Sequence, residues 1–182
     1  MELYIILAIV AVIVIWGIIL YNRLVQLQLR VRNNWSQIDI LLKNRFDLIP
    51  NLMDTVSAYT TYEKDTLTRI TEMRTKFASA ESVQDKAELS GQMSGALGRL
   101  IAISENYPDL KANENFLYLK QQLSEIEDKI RFSRQFYNDT VEAFNSAVQT
   151  VPSNIIASMF GFRELTFFNV DETEKALPRI KL

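Results

Sequence analysis

The chain has no cysteine and no histidine. The first absence excludes disulfides, thiol nucleophiles and thiolate metal sites. The second removes the Ser-His pair, the imidazole ligand and the side chain that titrates near neutrality. Glycine and proline are scarce, five and four residues in a chain of 182, and no G-x-G-x-x-G or G-x-x-x-x-G-K-[ST] phosphate loop occurs. This is a helical composition without a recognisable internal repeat. The length suits one domain with a real core rather than two. These absences leave little catalytic vocabulary: no enzyme activity, cofactor, metal or nucleic-acid partner is expected.

What is present begins with "LYIILAIVAVIVIWGIILY", residues 3–21, which carry no charge and lie between Glu2 and Arg23. At about 1.5 Å per residue the run spans roughly 28 Å, close to the thickness of a hydrocarbon core. Tyr4 marks one end, and Trp16 and Tyr21 the other, where aromatic rings favour the interface. Residues 1–22 are therefore expected to be a transmembrane anchor. A cleaved signal peptide fits poorly, because there is no basic n-region and no A-x-A site follows. Arg23, Arg30, Arg32, Lys43 and Arg45 follow the run, against the single acid Asp39. The positive-inside rule then puts the body in the cytoplasm, with basic side chains near anionic head groups. Residues 47–182 hold 15 basic and 20 acidic side chains, a net charge of −5, so the charge gradient points away from the membrane.

The body, residues 23–151, reads as four helices. Leu24, Leu27, Val31, Trp35 and Ile38 continue the anchor at helical steps. A second pattern starts after Pro50 with Leu52, Val56 and Tyr59, passes Tyr62 or Glu63, and continues through Leu67, Ile70, Met73 and Phe77. Ser82 with Asp85 resembles a capping box opening a third helix through Leu89, Met93, Leu97, Leu100 and Ile103. After "ENYPDLKANEN" the fourth and longest pattern runs from Phe116 to Val151. Short connections favour a long antiparallel four-helix bundle with coiled-coil-like contacts. The tail, 152–182, is expected to be irregular or extended. Its cluster of Ile155, Ile156, Met159, Phe160, Phe162, Leu165, Phe167 and Phe168 must bury somewhere.

Three stretches are candidates for function. In "RFDLIPNLMD", residues 45–54, Pro50 disfavours the helical conformation at Ile49. A corner between helices is expected there, with Asp47 capping the second helix and Leu48 and Ile49 closing the distal end. Arg45, Asp47, Leu48, Pro50 and Asn51 are the candidate partner contact at this corner. In "GQMSGALG", residues 91–98, Gly91 and Gly95 allow a close backbone approach, either within the bundle or between subunits. Phe160, Phe162, Phe167 and Phe168 are the candidate oligomer contact of the tail, facing a neighbouring subunit or the membrane surface. The carboxylates Glu125, Glu127 and Asp128 read as a solvated face, since a di-metal bundle site needs Glu-x-x-His.

The segments "YNRLV" (21–25), "NNWSQIDILLKNRFDLIPNL" (33–52), "SENYPDLKANENFLYLKQQL" (104–123), "RQFYNDTVEAFN" (134–145) and "PSNIIASMFGF" (152–162) together closely resemble the LemA family. The resemblance implies a bacterial inner-membrane protein with an N-terminal anchor, a four-helix body and no established enzymatic activity, so it supplies no catalytic residues. Some relatives replace the anchor with a lipoprotein signal, which implies the alternative of a body outside the cytoplasm. The expected function is a membrane-anchored helical scaffold that self-assembles or organises protein partners. The alternative is a sensor or adaptor whose distal end binds a protein or ligand.

Overall fold

The computed structural model describes residues 1–59 and 64–169, apart from the side chains of 64–66. Six helices account for most of it: α1 (Glu2–Ser57), α2 (Lys64–Ser79), α3 (Val83–Ser104), α4 (Pro108–Lys111), α5 (Glu114–Gln149) and α6 (Ser153–Phe160). No strand occurs among the described residues. The chain divides into two compact units. One comprises Met1–Gln37 and Gln135–Phe167; the other comprises Ile38–Arg134 with the described residues from Phe168 onward. The helices α1 and α5 supply residues to both.

In the first unit, α1 carries the apolar run, whose window of highest hydropathy has no residue buried inside the protein. Past it Leu24 and Val31 turn inward, and α5 contributes Tyr137, Val141 and Phe144. The Trp35 and Tyr137 rings lie 5.8 Å apart, but Trp35 is only half-buried, where the apolar stripe suggested a core ring. Asn34 Nδ2 donates to Thr140 Oγ1 at 3.2 Å and ties α1 to α5.

The second unit has the larger core. Ile38, Leu42, Phe46, Ile49, Leu52 and Val56 form one unbroken buried stripe on α1. Phe46 stacks on Phe77 of α2 at 4.1 Å. The start of α3 follows the expected cap, with Ser82 Oγ accepting from the Asp85 amide at 2.9 Å. Lys86, one turn further, pairs with Asp39 of α1. Pro108 occupies the first position of the short α4, whose Leu110 is buried, and α5 adds Phe116, Leu119, Leu123 and Ile130.

Two expectations about elements need correction. The corner is not at Pro50: α1 passes through this proline and ends at Ser57. A proline inside a helix loses one hydrogen bond and crowds the preceding turn, a penalty of about 3 kcal/mol. The buried stripe continues on both sides of Pro50, and burying several large apolar side chains outweighs that penalty. Asp47 therefore caps nothing and stands exposed in mid-helix. Tyr62 and Glu63 lie outside the described residues. The tail is also not extended throughout, since residues 153–160 form α6. Gly161, at φ 74°, ends that helix in the left-handed conformation that glycine adopts without strain. Only after it does the chain run without regular structure to Asn169.

Candidate functional site

The second unit is built around a buried charge. Arg45 has no exposed surface. Its side chain reaches α3 where that helix carries Ser90, Gly91 and Ser94, and the small residues leave room for a guanidinium. Nη2 donates to the Ser90 carbonyl at 3.1 Å and to Ser94 Oγ at 3.0 Å. Nη1 donates to Glu127 Oε2 of α5 at 2.6 Å, and Ser94 Oγ donates to Glu127 Oε1 at 3.1 Å. One side chain thus joins three helices. Burial lowers the Arg45 pKa, opposed by the nearby Glu127 carboxylate. Nε is buried without a partner. What the cluster can do is fix the register of α1, α3 and α5.

The first unit holds a different device, a clamp on the tail. Asn145 is a buried polar side chain on the inner face of α5. Its Nδ2 donates to the Leu165 carbonyl at 2.9 Å, and its Oδ1 accepts from the Leu165 amide at 2.8 Å. The amide side chain pairs with the tail backbone as a neighbouring strand would. Two turns earlier, Tyr137 Oη donates to the Thr166 carbonyl at 2.9 Å, and burial raises the pKa of this phenol. Phe162 lies between Tyr21, at 5.8 Å, and Phe144, at 6.3 Å. A cleft of about 280 Å³ opens beside α6, lined by Arg23 of α1, Thr150 of α5 and Ser153 of α6 among others.

The sequence-predicted residues fall as follows. Of the corner group, Arg45 is buried, Leu48 and Pro50 are half-buried, and Asp47 and Asn51 face solvent. Gly91 is buried within its own unit and Gly95 partly so. Of the tail aromatics, Phe162 and Phe167 are half-buried, Phe168 is buried, and Phe160 is exposed although its ring lies 4.7 Å from Tyr21. Within 161–168 the apolar side chains Phe162, Leu165, Phe167 and Phe168 are half-buried or buried, whereas Gly161, Arg163, Glu164 and Thr166 are exposed. The exposed large apolar side chains of the described tail, Ile155, Met159 and Phe160, are on α6. Sequence reasoning missed the Arg45–Glu127 network and the Asn145 clamp, although Arg45 and Asn145 both lie in segments that carry the family resemblance. Among the described residues no group of three or more acidic side chains is placed to hold a metal ion.

The LemA family model matches residues 34–182. The chain belongs to the LemA family. Protein LemA of Metamycoplasma hominis is 30% identical over 155 residues, which cover 85% of this chain and 71% of that protein. Magnetosome protein MamQ 2 of Paramagnetospirillum magneticum is 32% identical over 78 residues, 43% of this chain but 29% of the relative. Magnetosome protein MamQ of Magnetospirillum gryphiswaldense is 30% identical over 79 residues, with the same coverage. The LemA match includes Arg45, Ser94, Glu127, Tyr137 and Asn145, whereas the apolar run at 3–21 lies before it. None of these relatives' names specifies a reaction.

Proposed function

We propose that this LemA-family protein is a non-catalytic scaffold at the bacterial inner membrane, anchored by residues 3–21, which self-assembles or organises protein partners beside the bilayer through a bundle of long helices. The observation that carries the reading is α1: one helix supplies an unburied apolar run of membrane-spanning length and then, without interruption, the buried stripe of the helical body. On either side of Pro50 the aliphatic side chains Ile49 and Leu52 are buried. That burial favours a scaffold over a sensor with an open distal groove. Exposed apolar side chains supply surfaces for assembly: Leu29 and Phe136 in the first unit, Ile40, Leu117, Tyr118 and Phe132 in the second. Light scattering on the full-length protein after size exclusion in mild detergent tests the self-assembling form of the reading. A defined oligomer is expected, and a clean monomer over the accessible concentration range would sink it.

A further inference from the structure

We propose that α6 is a second membrane element, an interfacial helix that inserts Ile155, Met159 and Phe160 into lipid beside the point where α1 leaves its apolar run. The proposal rests on the reading that residues 3–21 cross a bilayer, and it deepens that reading by giving the chain a second contact with lipid.

Position is the first argument. The Ile156 side chain lies over Gly17, with Cδ1 3.8 Å from where a β-carbon would stand on that residue. Gly17 is inside the apolar run. The Phe160 ring is 4.7 Å from Tyr21, at the end of the run, and Ser153 lines a cleft with Arg23, the first charge after it. The middle of α6 therefore sits deepest, six residues from Arg23. At about 1.5 Å per residue this is roughly 9 Å, within the ~5–10 Å by which interfacial helices bury their apolar face.

Charge is the second argument. Residues 143–162 carry no ionisable side chain and are bounded by Glu142 and Arg163, as the run before Arg23 is bounded by Glu2. The fold brings these two distant uncharged stretches side by side. Exposure is the third. Ala157 is buried against the protein, whereas Ile155, Met159 and Phe160 are 58, 72 and 59% exposed. In water these three side chains would make an apolar patch on one short helix. At the depth of Gly17 the surrounding medium is hydrocarbon, so the same side chains face the solvent they prefer. Lipid is the occupant because α6 lies against the apolar run at Gly17 and Tyr21, and the run's own large side chains are exposed.

The natural absence of cysteine permits single-site labelling of the full chain. Val12→Cys in the run, Met159→Cys and Ile155→Cys on α6, and Ser124→Cys on the exposed face of α5 would each carry an environment-sensitive fluorophore. The probe is a vesicle of phosphatidylethanolamine and phosphatidylglycerol, with or without spin-labelled acyl chains. Labels at 12, 155 and 159 are expected to emit blue-shifted light and to be quenched by the spin-labelled lipid, while the label at 124 shows neither effect. If position 12 is quenched but 155 and 159 behave like 124, α6 lies in water and the proposal is overturned while the span stands. If 12 itself is not quenched, the span reading fails and this proposal fails with it. If 155 and 159 are shielded yet unquenched by lipid and cross-link between molecules, a second copy covers the face and the proposal is equally wrong.

Discussion

At the scale of single residues the second unit depends on how Arg45 is satisfied. Taking a guanidinium out of water costs several kcal/mol, recovered only if good hydrogen bonds and a counter-charge are in place. Arg45 has both, but its partner Glu127 is 49% exposed. The two ends of the pair are therefore unequal. Glu127→Ala strands a buried cation and should cost about 3 kcal/mol, the low end for a broken buried pair because Glu127 is already half in water. Arg45→Met keeps an apolar stem and leaves behind a carboxylate that solvent can reach, so it should cost within about 1 kcal/mol. Urea unfolding of the detergent-solubilised protein measures both, and equal losses would contradict the account. A similar contrast holds among aromatics in the first unit. Phe144 is fully buried, so Phe144→Ala should cost about 3–5 kcal/mol. Trp35 is half-buried and should cost less on truncation, despite its larger ring.

At the scale of elements, Pro50 distinguishes two accounts of the same residues. If it sits at the start of a helix, its missing N–H is harmless and alanine there gains nothing. In the interior of α1, where the structure places it, Pro50→Ala restores a hydrogen bond to the Phe46 carbonyl and should stabilise the protein by up to about 3 kcal/mol. A raised midpoint of thermal unfolding is the expected result, and an unchanged or lowered one would return the corner to residue 50. The tail clamp makes a separate prediction. Asn145→Ala removes both hydrogen bonds to Leu165, a loss of about 1–3 kcal/mol. Trypsin should then cut after Arg163 sooner, with the helix content of the body retained. The helices themselves were legible in the sequence because their signals are local: apolar steps of three and four, and the Ser82 cap. Pro50 was misread because a local rule was overruled by burial on both sides of it. The eight residues of α6 are apolar on most positions, so their period cannot separate helix from strand. The Arg45–Glu127 pair and the Asn145 clamp join residues 82 and 20 apart, and no spacing rule announces either. In the sequence Arg45 belonged to a basic run and was a candidate partner contact at the corner rather than a buried charge, and Asn145 was a polar interruption beside Phe144.

At the scale of the whole molecule, the basic residues beyond the apolar run predict an orientation in the membrane. Orientation is set mainly by lysine and arginine within about 15–20 residues of a span's ends, with acidic residues contributing little. Arg23, Arg30 and Arg32 all lie within that distance after the apolar run and are all exposed. Lys43 and Arg45 lie farther along the chain than that and do not enter the count. These three arginines just past the run are the asymmetry that predicts a body facing the cytoplasm and first residues on the opposite side. Alkaline phosphatase fused after Leu182 should then be silent and green fluorescent protein at the same position bright. Replacing Arg23, Arg30 and Arg32 together with glutamine removes the asymmetry, and the two fusions should then report a mixed population. If the phosphatase fusion of the unaltered chain is strongly active, the body lies outside the cytoplasm and the three arginines do not set its side. If the triple variant keeps one orientation, some other feature of the chain sets the topology.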